Sequence, residues 1–333
     1  MDLSEEDWKR SLELFPDAHI LQSAEWGELK SGFNWKPVRF TAGGCYAQIL
    51  FRSLPGGISI GYIPKGPFGP LNSEFWRELK HIGRKHRAIM IKMEPDQFER
   101  EGEEYLWPWE TEKLIPSKPI QPAQTITIDI TVDEKTILDR MKQKTRYNIH
   151  LAEKKDISIH QITDVKAFYA MMISTGTRDG FGIHSYEYYQ KAYDLFSPEG
   201  NCVLMTARHN GIDLAALMIF KFGNRCWYFY GASTEIERNR MPVYLLQWNA
   251  ILWAKQHGCK EYDLWGIPDF PESELEEQFI TRTDELWGVY RLKRGFGGNI
   301  KRSSQTVDLV LQPLLYKALM WWIKSRRHGV EFG

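Results

Sequence analysis

Several common signatures are missing from this chain of 333 residues. It has four cysteines, Cys45, Cys202, Cys226 and Cys259, far apart, never as CxxC, and with no histidine at metal-ligand spacing. That excludes a disulfide framework and a zinc finger or ribbon, and it fits buried thiols in a reducing compartment. There is no excess of either charge: Lys plus Arg and Asp plus Glu are each 43. A globally basic surface is therefore excluded, and any contact with a polyanion must be local. No apolar run approaches the roughly 20 residues that a membrane span needs. The first residues, MDLSEEDWKR, are acidic and polar, unlike a signal peptide, so the expectation is a cytoplasmic protein. Nucleophile triads, P-loops and zinc patterns are absent too, which leaves hydrolase and kinase readings without support and no metal or cofactor expected.

What is present is a normal globular composition, 43% hydrophobic, with aromatic residues at 14%. The length suits two domains, and so many rings suit either a large core or a lined groove. The densest positive charge lies in residues 140–155, RMKQKTRYNIHLAEKK. Lys142, Arg146, His150 and Lys154 recur every fourth residue and predict a drifting stripe on one helix face. Leu138, Met141, Ile149 and Ala152 predict an apolar face, with Thr131 and Glu134 as a capping box. The stripe reads either as a solvated basic face or as a cationic wall for a phosphate-rich ligand.

In chain order, residues 4–15 predict a helix capped by Ser4. Two strands follow, joined at residues 42–44, then a short strand at 59–63 and an ordered loop at 64–70, PKGPFGP. Residues 73–84 predict a helix capped by Ser73, and 88–93 a buried strand ending at Glu94. Residues 105–122 read as loop and 125–130 as a strand. After the basic helix come a strand (157–162), two helices, a three-stranded meander (202–230), a helix entered through Pro242, and a strand at 260–264. Residues 268–285 read as acidic and irregular, 288–298 as a segment ending in a glycine-rich loop, 306–311 as a strand and 313–324 as a final helix. Both halves thus repeat helices, an antiparallel meander, a helix and a strand. This is an α+β plan with mixed sheets flanked by helices, and it resembles an acetyltransferase-like (GNAT, acyl-CoA N-acyltransferase-like) domain occurring twice in tandem. The expected division is 1–132 plus 303–333 for the first domain and 133–302 for the second.

Several blocks carry a more specific likeness. The basic stretch, YFYGAST (228–234), MPVYLLQWNAILWAKQHG (241–258), EYDLWGIPD (261–269) and VYRLKRGFGG (289–298), with QSAEWGELK (22–30) and YIPKGPFGP (62–70), together resemble the FemABX family of peptidoglycan bridge-forming aminoacyltransferases. The resemblance covers nearly the whole chain. It implies that the last strand and helix return to the first domain. It also implies transfer of an amino acid from aminoacyl-tRNA to the side-chain amine of a cell-wall precursor's stem peptide, on either UDP-MurNAc-pentapeptide or a lipid-linked precursor.

The residues fit such chemistry. An acyl ester on tRNA is already activated, so aminolysis needs a neutral amine, alignment and oxyanion stabilisation rather than ATP or a metal. The resemblance places a catalytic lysine at Lys293 and a carboxylate that holds or deprotonates the acceptor amine at Glu94, with Asp96 beside it. It places a phosphate contact at Lys30 near Trp35, and groove tyrosines at Tyr188, Tyr228 and Tyr230. Where the family often has an arginine as a second phosphate ligand, His184 stands here; either His184 or Arg178 serves, or no UDP diphosphate is gripped. Lys142, Lys144 and Arg146 are the expected tRNA contacts. The final helix, with Leu311, Leu314, Leu315, Ala318, Leu319 and Trp322 at helical spacing and a basic tail to residue 328, reads either as packed on the first domain or as resting at the inner face of the bacterial membrane. Two rivals are an acyl-CoA-dependent N-acyltransferase, whose pyrophosphate loop [QR]xxGx[GA] has no match here, and a non-catalytic tRNA- or wall-precursor-binding homologue.

Overall fold

The computed structural model describes residues 2–99, 107, 112–282, 284 and 286–325. The chain separates into two units, Met1–Gln121 with Arg302–Gly333, and Pro122–Lys301.

The first unit opens with α1 (Glu5–Leu12), capped by the Ser4 side chain, and α2 (Ala24–Ser31). The strands β1 (Trp35–Ala42) and β2 (Cys45–Leu54) form a hairpin, with Ala42 paired to Cys45. Gly43 and Gly44 turn it at φ 58° and 77°, a left-handed pair that glycine adopts without steric cost. Then come β3 (Ile58–Ile63), α3 (Ser73–Lys85), β4 (Ala88–Met93) and β5 (Leu114–Pro116).

The second unit runs β6 (Gln124–Asp129), α4 (Glu134–Arg140), α5 (Gln143–Lys154), β7 (Ser158–Ile162), α6 (Val165–Asp179) and α7 (Tyr186–Phe196). It continues with β8 (Cys202–His209), β9 (Ile212–Phe222), β10 (Arg225–Ser233), α8 (Pro242–Gln256) and β11 (Glu261–Asp263). It ends with α9 (Glu272–Gln278), α10 (Trp287–Lys293) and β12 (Asn299–Arg302). The chain then re-enters the first unit as β13 (Val307–Val310) and α11 (Pro313–Ser325).

Among the described residues the strands form two sheets, β1-β2-β3-β4-β13-β5 and β12-β6-β11-β10-β9-β8-β7. Each contains an antiparallel meander (β1-β2-β3; β8-β9-β10), a helix (α3; α8) and a strand parallel to the meander's last (β4; β11). That is the acetyltransferase-like plan read from the sequence, present twice. The next position in each sheet is filled antiparallel: β13, from the end of the chain, pairs with β4, and β6, from before the second meander, pairs with β11. Each unit has its own core. In the first it is built around Phe40, Ile49, Phe75, Leu79, Ile91 and Val307, and in the second around Ile128, Ile219, Leu246, Tyr262, Trp287 and Phe296.

Several expectations are corrected. Residues 122–132, expected in the first domain, lie with the second, because β6 pairs with β11 through Thr127, Ile128 and Asp129. The single basic helix is two helices. Met141 is extended (ψ 153°) and buried, and the Lys142 N–H donates to Gly295 O at 2.9 Å. Asp133, not Thr131, caps α4, through Thr136 N–H at 2.9 Å. Asn72, not Ser73, caps α3, through Phe75 N–H at 3.0 Å. Of the segment read as loop, Leu114–Pro116 forms edge strand β5 against β13. The acidic segment contains α9, and residues 287–293 are helical before the glycines. Residues 326–328 of the basic tail lie outside the described residues.

Candidate functional site

In the second sheet the parallel pair is short: Arg225, Cys226 and Trp227 of β10 face Glu261, Tyr262 and Asp263 of β11. Beyond that point β10 bulges between Tyr228 and Tyr230. The chain leaving β11 stays instead with β6, Leu264 N–H donating to Ile126 O at 2.9 Å and Ile267 N–H to Gln124 O at 3.0 Å. Strands that part in this way leave inner carbonyls without a ladder partner, and buried carbonyls need another donor. Lys293, the last residue of α10, provides it. Its Nζ donates to Gly266 O at 2.7 Å and Trp265 O at 3.2 Å, and lies 5.7 Å from the centre of the Tyr228 ring.

Lys293 is 6% exposed. Burial pulls its pKa from 10.5 down to about 7, against the opposing pull of the Asp263 carboxylate. Asp263, buried at the end of β11, accepts the Thr125 hydroxyl and, at 2.7 Å, the Trp265 N–H. The second bond holds Trp265 at φ 60°, in the left-handed turn that brings both carbonyls onto Lys293. Burial pushes the pKa of Asp263 up, and its two hydrogen bonds oppose this. The result is a buried ammonium, close to half charged at neutral pH, bound to two carbonyls and facing an aromatic ring. Such a group can donate to an oxyanion or hand a proton to a leaving oxygen.

The remaining residues singled out in the second unit behave differently from one another. Tyr188 and Tyr230 share a hydrogen bond between their side chains. His184 stacks on Tyr188 at 3.9 Å and meets Tyr230 edge-on at 5.8 Å. Burial raises the pKa of Tyr228 to about 12, so these rings act as walls and neutral hydroxyls. Arg178 is committed to structure: it forms a fork with Asp179 (2.7 and 2.7 Å), donates to Ser233 O at 2.8 Å, and meets Glu235 at 3.1 Å.

Lys142, Lys144 and Arg146 do not form one cationic wall. Arg146 turns inward and donates to the carbonyls of Leu138, Asp139 and Met141, capping the end of α4. Lys142 lies 3.8 Å from Glu276, and Lys144 is exposed. Lys142 does line a groove of about 600 Å³ in this unit, with Arg140, Glu276, Arg294, Gly297 and Gly298 among its walls. The glycine pair is a packing device. A Cβ on Gly297 would sit 2.7 Å from Arg140 O, and one on Gly298 2.5 Å from Thr127 O. Residues 234–241, which lead into α8, hold no glycine and so do not carry the glycine pattern of an acyl-CoA pyrophosphate loop.

In the first unit, Glu94 immediately follows β4 and is 3% exposed. Its carboxylate accepts the N–H groups of Ile120 (2.5 Å) and Gln121 (3.2 Å). Burial raises its pKa, opposed by those bonds and by Lys65 and Lys92. Asp96 lies half-buried in the bend that follows. Lys30, at the end of α2, sits 5.4 Å from the centre of the Trp26 ring; burial and then the charge of Arg52 lower its pKa to about 8. Arg52 lies over Trp35 at 5.5 Å, and Trp35 meets Tyr62 at 6.4 Å. Lys30, Arg52 and Trp35 are therefore one cluster, held at the cost of repulsion between two cations.

Sequence reasoning missed Arg52 and Asp263. Arg52 pairs with Trp35 across β1 and β2, which a hairpin register would have indicated. Asp263, like Glu94, is an acid at the C-terminal end of a buried strand, and that was the available signal.

The profile of the FemAB family matches residues 103–210 and 203–322. The lipid II:glycine glycyltransferases of Staphylococcus haemolyticus and Staphylococcus aureus are each 20% identical to this chain, over 87% of it and 90% of their own length. Among solved structures, FemX superimposes with a TM-score of 0.80 at 19% identity, covering 96% of this chain and 99% of FemX. This is a likeness of fold.

Proposed function

Because this chain belongs to the FemAB family, we propose that it is an aminoacyltransferase that moves an amino acid from aminoacyl-tRNA to the side-chain amine of a peptidoglycan precursor's stem peptide. The names of the staphylococcal relatives support glycine as the amino acid and a lipid-linked precursor as the acceptor, and so support work at the inner face of the bacterial membrane. The observation that carries the proposal is Lys293, a buried lysine with a pKa near 7 held where two parallel strands part.

The acceptor amine attacks the ester carbonyl. A C–N bond forms, the carbonyl oxygen takes the negative charge, and collapse breaks the C–O bond to the ribose. The nitrogen loses a proton and the ribose oxygen gains one. Lys293 in its charged form donates to the oxyanion and passes a proton to the departing oxygen; the proton shed by the amine recharges it. Donors of this kind contribute on the order of 3 kcal/mol. Asp263 keeps enough charge on Lys293 for this work at neutral pH.

Lys30 and Arg52 are assigned to the acceptor's diphosphate, where an anion relieves their mutual repulsion, with Trp35 as the platform beneath. This removes the need for His184 or Arg178 at that position. His184, Tyr188, Tyr228 and Tyr230 are assigned to the walls of the peptide groove, and Arg178 to holding the end of β10. Glu94 uses both carboxylate oxygens on backbone N–H groups, so its assigned role is to position Ile120 and Gln121, and the role of acceptor carboxylate passes to Asp96. The donor tRNA is assigned to the groove beside Arg140, Lys142 and Arg294 and to exposed Lys144.

The test is a transfer assay with labelled aminoacyl-tRNA pools and, separately, UDP-linked and lipid-linked pentapeptide, wild type beside Lys293→Ala. Label should move to the lipid-linked acceptor and fall by roughly a hundredfold or more in the variant. Equal rates in the two proteins, or transfer only from an acyl-CoA, would overturn the proposal.

A further inference from the structure

Helix α11 (Pro313–Ser325) reads PLLYKALMWWIKS, and only Tyr316 among these residues is buried. The Tyr316 hydroxyl donates to Asp308 Oδ2 at 3.0 Å, and Gln312 ties the helix start to Ala88 O at 3.0 Å, so the helix is anchored at one edge. At about 100° per residue, Leu314, Ala318 and Trp321 form a stripe directly opposite Tyr316. Leu314 is 82% exposed and Trp321 71%. Leu315 and Trp322, seven residues apart, widen the stripe on one side and are also exposed. Lys317 and Lys324, likewise seven apart, border it on the other. A helix that only closed a core would turn these side chains inward. No helix among the described residues is long and apolar enough to cross a membrane, and one of 13 residues spans about 20 Å, too short for a bilayer core.

We propose that α11 is a membrane-surface anchor. It lies flat in the headgroup region of an anionic bilayer, with Leu314, Ala318 and Trp321 inserted and Lys317 and Lys324 reaching anionic headgroups. Three features of the helix favour a bilayer over a second protein. Tryptophans sit well at an interface where one side is apolar and the other wet. The two lysines lie along one border of the apolar stripe, where their stems can snorkel. No carboxylate accompanies them on the helix, so the face carries net positive charge that anionic lipid complements. The proposal rests on the reading of the acceptor as lipid-linked for its purpose, and on the exposed face alone for its physics.

The experiment is flotation of the full chain with vesicles of three parts phosphatidylcholine to one part phosphatidylglycerol, and with phosphatidylcholine alone. The wild type should float with the anionic vesicles and at least tenfold less with neutral ones. Leu314→Ser with Trp321→Ser should weaken anionic binding by at least tenfold. Lys317→Glu with Lys324→Glu should abolish the preference for anionic lipid. Circular dichroism and urea unfolding check that both variants are folded. A wild type that stays unbound, or double variants that float like wild type, overturns the anchor. So does an apolar stripe that instead holds a dimer, seen by sedimentation and lost in Leu314→Ser/Trp321→Ser, without vesicle binding. If the wild type floats as described but transfers nothing to any cell-wall precursor, the anchor stands and the acceptor reading fails.

Discussion

Replacing Lys293 with methionine keeps an unbranched apolar side chain, one atom shorter, and removes the charge. In the native state the ammonium is buried, and its pKa falls from 10.5 to about 7. That drop corresponds to about 5 kcal/mol against the charged form. Below about pH 7 native and unfolded chains both carry the proton, and the wild type bears the full burden of a buried charge. Between about pH 7 and pH 10.5 the native lysine is neutral while the unfolded one remains protonated. The unfolded state then binds more protons, so wild-type stability rises with pH, by about 1.4 kcal/mol per pH unit from this residue. Methionine has no such slope. It also leaves the carbonyls of Trp265 and Gly266 without their donor, at about 1–3 kcal/mol each. The offset between the two proteins is thus a near cancellation, but the slope of their difference is not. Urea unfolding at several pH values should show the stability of Lys293→Met relative to wild type falling steadily across that window, while its transfer activity is lost throughout. A difference that does not change with pH would mean that Lys293 titrates near its ordinary value, and the account of a poised, desolvated lysine would be wrong.

Asp263→Asn keeps the oxygen that accepts the Trp265 N–H but removes the charge that raises the pKa of Lys293. The limb of the pH–rate profile where activity declines as Lys293 loses its proton should move to lower pH with the fold intact; an unmoved limb would uncouple the two residues. Arg146→Ala removes the cap on three carbonyls at the end of α4 and should destabilise by about 1–3 kcal/mol in urea, with little change in tRNA binding. Lys144→Ala should weaken tRNA binding and flatten its salt dependence without loss of stability; the reverse pattern would restore the basic stretch as one surface. Arg52→Ala should raise KM for a diphosphate-bearing acceptor by roughly tenfold or more at nearly constant kcat; a fall in kcat alone would remove Arg52 from the acceptor site.

Most elements were legible because their signals are local. Alternation and a Gly-Gly turn specify the β1–β2 hairpin, Ser4 caps α1, Pro242 opens α8, and the repeated order of meander, helix and strand indicates the plan of both units. Family likeness picks out Lys293 because the VYRLKRGFGG block is contiguous. The break at Met141 was not legible. Residues 140–155 have helical periodicity, and the interruption is imposed by Gly295, whose carbonyl takes the Lys142 N–H from over 150 residues away. Nor was the place of β6: the family likeness already returned β13 to the first unit, but β6 is a short alternating segment, and only its pairing with β11 decides which sheet it completes. The site follows the same division. A sequence specifies which groups can ionise and which faces are apolar, because these are properties of residue type and spacing. It does not specify that Arg146 is spent on a helix end, that Arg52 sits beside Lys30, or that Lys293 lies dry between two carbonyls with Asp263 nearby. Burial and charge proximity belong to the packed chain, and they decide that one lysine among many has a pKa near 7.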